Sequence, residues 1–298
     1  ARKIAVGDLN IDGRMDVVVA EHDTYNVTVL GGDGKCGLAP VQGSPFAAFN
    51  GPKPHTHEIA LAFVNSDSLP DIITSNANDN NISVLLNKGS EGFVPVPGSP
   101  FECGRHPYDM IATGDVNGDG NNDIVVPLLA AAKVSVLLGD GAGGFTQGGK
   151  CAVNERPGYL ALGEFNGDKR LDIVVTHDDS AEAIVLLNDG NGGFDRASVR
   201  LPGYLWSVQV SDMNNDQRSD LVFGTMGGTR AYVLLGHGNG RFNQEAIVVD
   251  TGGEGSNYVI ANDVNADGRA DLIAGNYDTG NVSVLLGKSP ERTAARTP

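Results

Sequence analysis

No run of about eighteen apolar residues occurs anywhere in the chain, so no ordinary membrane-crossing helix is expected. No stretch of useful length carries the apolar stripe of an amphipathic helix. A leader with a basic start and an apolar centre is not visible, and the chain opens inside a repeat at Ala1-Arg2-Lys3-Ile4. That start is expected of a processed or trimmed form. The signatures of common catalytic machines are missing: there is no G-x-S-x-G, no H-E-x-x-H and no phosphate-binding loop. Tryptophan occurs once and aromatics make up 6% of residues, which argues against a sugar pocket repeated in every unit. Basic residues number 21 against 37 acidic ones, a net charge of −16, which disfavours nucleic acid and anionic membranes as partners. Cysteine is limited to Cys36, Cys103 and Cys151. Cys103 and Cys151 stand at near-equivalent places in neighbouring repeats. A bridge between them in an oxidising compartment and three free thiols both stay open.

What the chain does have is a short acidic loop, written six times. The clearest copy is Asp115-Val116-Asn117-Gly118-Asp119-Gly120-Asn121-Asn122-Asp123. Side-chain oxygens recur at alternate positions, a carboxylate closes the loop, and a glycine sits at the sharp turn. Calcium takes about 6–8 oxygen ligands, and such a loop offers them densely. Asp8–Asp16 and Asp263–Asp271 repeat the pattern in full. Asp212–Asp220 has Gln217 in the glycine place, and Glu164–Asp172 has Glu164 first and Lys169 for the glycine. Phe63–Asp71 has lost both the first acid and the glycine. The loops recur every 48–55 residues and fill the chain. The units run approximately 1–54, 55–106, 107–155, 156–203, 204–254 and 255–298.

A period near fifty residues marks a solenoid, a propeller or an array. After each loop comes a β-rich run such as Asp123-Ile124-Val125-Val126. An alternating run follows, as in Asn81-Ile82-Ser83-Val84-Leu85 or Asn281-Val282-Ser283-Val284-Leu285, with the period of a half-buried strand. Then a Gly/Asp turn such as Asp189-Gly190-Asn191-Gly192-Gly193-Phe194 leads to a weaker fourth strand. Four antiparallel strands in each of six units describe an all-β, six-bladed β-propeller in a single domain. The sixth unit ends soon after Leu286, so its outer strand is expected to be short or missing, its tail mobile, and a seventh blade stays open.

The acidic loops, the Asn-Val-Ser-Val-Leu-Leu strand and the Gly-Gly-Phe turn together resemble the FG-GAP or VCBS-type repeat, a calcium-loop propeller family that includes the integrin α-subunit head. The resemblance covers nearly the full length. It implies calcium between the first two strands of most blades, and it implies no single activity, since function belongs to sites rather than folds.

About five calcium sites are therefore expected. Their ligands are Asp8, Asn10, Asp12 and Asp16; Asp115, Asn117, Asp119 and Asp123; Glu164, Asn166, Asp168 and Asp172; Asp212, Asn214, Asp216 and Asp220; and Asp263, Asn265, Asp267 and Asp271. The bland alternative is a set of Asx turns held by their own side chains. Lys169 and Gln217 are expected to adopt the tight turn at some strain. Unit 2 is expected to hold no metal, because Phe63 offers no donor and Pro70 stiffens the turn. Five divalent ions would bring the net charge from −16 to −6, so the acidity is explained by the loops. Metal and folding are expected to be linked. A metal that needs abundant free calcium suggests a secreted, cell-surface or periplasmic address.

Unusual side chains gather just before each inner strand, at the end opposite the loops. They are His55, His57, Glu58, Arg105, His106, Tyr108, Asp109, Arg156, Tyr159, Tyr204, Trp206 and Tyr258. One reading is a site for a glycan or protein partner. A second is an enzyme, metal-assisted or acid-base, acting as a lyase or hydrolase on a polysaccharide or phosphate ester, with a transition metal on His55, His57 and His106 together with Glu58 or Asp109. A third is simple packing that caps the channel, or a structural spacer in a larger adhesin. His22 and His177 read as solvated turn histidines. The formal glycosylation sequons at Asn26, Asn81 and Asn281 fall at one place in the repeat, so the strand pattern explains them. The binding reading leads, as a monomer or as one module of a longer chain.

Overall fold

The computed structural model describes residues 3–53, 55–108 and 110–288. Six antiparallel sheets follow one another along the chain. The first strands are Lys3–Gly7, Thr56–Ala62, Ala112–Gly114, Pro157–Gly163, Leu205–Ser211 and Ser256–Asn262. Successive first strands pack beside one another and line the centre, so the architecture is a six-bladed β-propeller. The second strands each begin on the closing aspartate of an acidic loop, for example Asp16–Ala20 and Asp123–Leu128. The third strands are the alternating runs, such as Asn81–Asn87 and Asn281–Leu285. Among the described residues the sole helix is a 3-10 turn at Gly89–Glu91, and none is long enough to cross a membrane.

The expectation of four strands per blade holds for blades 3, 4 and 5. Blades 1 and 2 have five, because the outer edge is split into two short strands that both pair with the third strand: Leu38–Pro40 with Phe46–Ala47, and Phe93–Pro95 with Phe101–Glu102. Blade 6 has three among the described residues. The tail from Ser289 onward lies outside them.

Strand alternation decides where the core lies. On a third strand, alternate residues face opposite neighbours. Ile82 and Val84 of blade 2 point forward onto Ile111, Ile124 and Leu137 of blade 3. Val27 and Val29 of blade 1 point forward onto Ile59, Ile72 and Leu85 of blade 2. The remaining clusters join blades 3 and 4, 4 and 5, and 5 and 6. Thus each of five cores belongs to a junction between blades, rather than to a blade.

The seam between blade 6 and blade 1 has no such cluster among the described residues. Val282 of blade 6 is 68% exposed, although the equivalent Val27, Ile82, Val134, Ala183 and Ala231 are fully buried. Ile4 of blade 1 is 60% exposed, although its equivalents Ile59, Ile111, Leu160, Val208 and Val259 are buried. Identical repeat positions therefore differ in energetic weight according to whether a next blade covers them. Val84→Ala should cost about 1–3 kcal/mol of stability through lost burial and a residual cavity. Val282→Ala should cost under about 0.5 kcal/mol. Urea denaturation of the two variants checks this, and equal losses would contradict it.

Candidate functional site

The acidic loops share one backbone path. In blade 1, the Asp12 amide donates to Asp8 Oδ1 at 3.1 Å and to Asn10 Oδ1 at 3.0 Å. The Gly13 amide donates to Asp8 Oδ2 at 2.8 Å, and the Arg14 amide to Asp12 Oδ1 at 2.9 Å. The loops at Asp115, Asp212 and Asp263 repeat this set. The fourth and sixth positions are left-handed in all five loops: Ile11, Gly118, Gly167, Asn215 and Ala266, then Gly13, Gly120, Lys169, Gln217 and Gly268. Lys169 at φ 68° and Gln217 at φ 66° take up the turn that glycine adopts elsewhere, a cost of about 1–2 kcal/mol each. The left-handed fourth position was not legible in the sequence, because Ile11 and Ala266 give no sign of it.

Blade 4 deviates. Glu164 is one methylene longer than aspartate, and its Oε1 accepts from the amides of Asn166 and Gly167, earlier in the loop than in the other blades. Blade 2 deviates further. Neither Ser66 nor Ser68 is left-handed, and Asn65 and Asp67 form ordinary Asx turns.

The closing aspartates stand apart from the other donors. They are buried in all six blades. One oxygen accepts the amide of the second loop residue: Leu9, Val64, Val116, Phe165, Met213 or Val264, at 2.8–3.1 Å. The other accepts an amide sixteen residues on, where the third strand ends: Gly32, Asn87, Gly139, Asn188, Gly236 or Gly287, at 2.7–2.9 Å. Asp71 makes both bonds in blade 2, where the first acid is missing. The carboxylate therefore clamps the backbone whether or not its loop has the other donors.

The donor chemistry of five loops fits calcium. Each offers three carboxylates, one amide oxygen and a backbone carbonyl at the seventh position, enough to supply the 6–8 oxygens the ion takes. The first three donors each engage a backbone amide, which fixes their direction. Arg14, Arg170, Arg218 and Arg269 reach the fifth-position aspartate at 3.0–4.0 Å. Such exposed pairs are worth about 0–1 kcal/mol and would yield to a divalent ion.

At the opposite end, the central channel is plugged by side chains. Lys3 Nζ pairs with Glu58 Oε2 at 3.0 Å and lies over the rings of Tyr159 and Tyr258 at 5.3 and 5.4 Å. The two tyrosine hydroxyls meet at 2.5 Å across the centre. Trp206 tilts against Tyr159 at 5.8 Å. Glu58 and Tyr159 are thus buried, whereas Tyr204 and Tyr258 remain 56% and 44% exposed. Arg156 donates to Asp178 at 2.8 Å, and Arg105 is exposed. Asp109 lies outside the described residues. Tyr277, on the turn between the second and third strands of blade 6, is also exposed at this end and was missed in the sequence.

The histidines group differently from expectation. His57 stacks on Tyr108 at 3.5 Å, and His106 stacks on Tyr108 at 5.0 Å. The three that converge are His22, His55 and His57, with candidate ligand atoms all within 4.8 Å of one another. His22 does lie on a turn and stays 30% exposed, but its ring faces His55 and His57 instead of standing alone in solvent. The turn after the second strand of blade 1 lies beside the start of the next blade's first strand. His177 is not solvated: the second strand of blade 4 extends through it and buries it, 1% exposed, with its pKa lowered by desolvation. The three cysteines are free thiols; Cys103 is buried and donates to the Asn80 carbonyl at 3.3 Å, so the bridge to Cys151 does not form.

Clefts also open between blades on the loop side. One of 420 Å³ lies between blades 1 and 2, among Asn10, Val41, Leu69, Asn87 and Phe93. Another of 410 Å³ lies between blades 4 and 5, beside Arg200, Arg241 and Phe242. These depend on long-range packing and left no mark on any single motif.

Burial raises the carboxyl pKa of Asp71 and of Asp172 to about 6, with the backbone amides pulling the other way. A carboxyl that holds its proton more tightly folded than unfolded adds stability at low pH. That stability disappears as pH rises from about 4 through about 6. Chelator-treated protein should therefore need less urea to unfold at pH 7 than at pH 5, as followed by circular dichroism. Asp71→Ala should cost about 2–5 kcal/mol at pH 7 in calcium, since it orphans two buried amides, and should leave the number of bound calcium ions unchanged. Calorimetry on the variant checks both halves.

Comparison with known proteins bears on the repeat and on the fold. The sequence profile of the FG-GAP-like repeat matches residues 64–126, 164–223 and 212–274. No curated protein matches the chain. Among solved structures, an Agrocybe aegerita lectin, solved for its specific recognition of non-reducing terminal N-acetylglucosamine, superposes with a TM-score of 0.63 at 21% identity, over 96% of this chain and 80% of the lectin. BBS1N, solved in complex with ARL6DN, gives 0.67 at 13% identity, over 98% and 79% of the two chains. The V. cholerae biofilm matrix protein Bap1 gives 0.52 at 17% identity, over 87% of this chain and 40% of Bap1. At these identities the likeness is one of fold.

Proposed function

The chain belongs to the FG-GAP-like repeat family, and on that premise we propose that it is a calcium-stabilised binding module working outside the cytosol. Its ligand is a glycan, held on the face opposite the calcium loops. The observation that carries this reading is the exposed aromatic surface at that face. Tyr204, Tyr258 and Tyr277 present rings to solvent around a plugged centre. Flat apolar rings with a polar edge suit the faces of sugar rings. The plug favours surface recognition over turnover in a deep pocket. That one structural neighbour is a lectin supports the choice of ligand class.

Calcium in five loops holds the blades in register, and extracellular calcium levels keep loops of this open type filled. The proposed address is therefore secreted, cell-surface or periplasmic.

Glycan-array screening of calcium-loaded protein tests the reading. Tyr204→Ala and Tyr258→Ala should each weaken the best glycan about tenfold or more with no loss of calcium. A module that binds no glycan but captures a single protein from the producing organism's surface would overturn the glycan assignment. Binding that survives both tyrosine changes would overturn the placement.

A further inference from the structure

Three imidazoles from two blades converge on the same face, and no calcium loop explains them. His22 leaves the turn after the second strand of blade 1. His55 and His57 lead into the first strand of blade 2, two residues apart on one side of an extended segment. Their candidate ligand atoms lie within 4.8 Å of one another. The ring centroids of His22 and His55 are 4.2 Å apart, and those of His55 and His57 are 5.4 Å apart. We propose that His22, His55 and His57 form a transition-metal site, selective for zinc over calcium, that ties blade 1 to blade 2.

The chemistry is specific. Imidazole nitrogen suits zinc and copper, whereas calcium takes oxygen. Three histidines and one open position are a recurrent zinc arrangement. A tetrahedral ion with bonds of about 2.0–2.1 Å sets its nitrogens roughly 3.4 Å apart, so small ring rotations close the present spacing. The supporting groups are also in place. Asp23 Oδ1 sits 2.8 Å from His22 Nδ1, which leaves Nε2 as the ligand nitrogen and orients the ring. Tyr108 stacks on the buried His57 ring and restrains it. His106 lies against the same tyrosine and does not belong to the cluster. The fourth position takes water or an oxygen of a bound ligand. The inference rests on neither the acidic loops nor the glycan reading, because its donors are nitrogen and its residues are separate.

Titration calorimetry with zinc chloride on the whole chain, in calcium-saturated buffer, tests it. The expected result is one zinc per chain at a Kd of about 1 μM or tighter. His22→Ala and His57→Ala should each weaken binding at least tenfold. Asp23→Asn should weaken it about 10-fold, and His106→Ala should leave it unchanged. His22 lies on a turn, so its variant should keep the wild-type circular dichroism and calcium content, which separates a lost ligand from a lost fold. Cobalt substitution should give the visible spectrum of a tetrahedral ion. Zinc binding weaker than about 1 mM, or binding that His22→Ala leaves intact, would overturn the proposal.

Discussion

A buried carboxylate that bonds two distant backbone amides is the constraint on which every blade depends. The closing aspartate ties the loop between the first two strands to the point where the third strand ends, sixteen residues on. In blade 2 both amides are buried, so there the carboxylate satisfies donors that would otherwise be orphaned. Hydrogen bonds to a charged acceptor are worth about 1.5–3 kcal/mol each. Burial opposes this by raising the carboxyl pKa, and the amide bonds offset part of that cost. Asp71 shows the clamp without the rest of a metal-binding loop, so it is a property of the blade itself.

The clamp also reaches between blades. Asn87 at the end of the blade 2 third strand donates to the Leu9 carbonyl in the blade 1 loop at 2.8 Å. Asn188 of blade 4 does the same to Val116 of blade 3 at 2.7 Å. The Gly240 amide of blade 5 donates to the Phe165 carbonyl of blade 4 at 2.7 Å. Each of these loops is therefore fixed by its own aspartate and by the following blade. An ion held in such a loop would act on a junction as well as on a turn. Since the apolar cores also lie at junctions, loop order and core packing would stabilise the same contacts. The seam from blade 6 to blade 1 has neither an apolar cluster nor such a bond among the described residues; there Lys3 of blade 1 lies over the Tyr258 ring of blade 6.

Much of this was legible in the sequence, because it is periodic. The loop spacing marked six blades, and the alternation of Asn-Ile-Ser-Val-Leu marked a half-buried strand; the strand was there, but in blade 2 the neighbouring blades bury both of its faces. Lys169 and Gln217 took the left-handed turn their position required. What was not legible depends on contacts between residues far apart. Nothing in His22 shows that it will meet His55 and His57 across a blade boundary. Nothing in Lys3 shows that its ammonium will fill the channel against Glu58 and two tyrosines. Tyr159 is buried and Tyr204 is open, because Tyr159 lies inside the first strand of its blade and Tyr204 precedes the first strand of the next. The closing aspartates looked like ligands alone; their bonds across sixteen residues appear once the third strand is in place.

The central claim is that five acidic loops are calcium sites built on a common carboxylate clamp, and that blade 2 keeps the clamp without the site. Elemental analysis of protein purified without chelator tests this most directly. The account predicts calcium near five per chain. Calcium of one or none would contradict it and leave the acidic loops as turns held by their own hydrogen bonds.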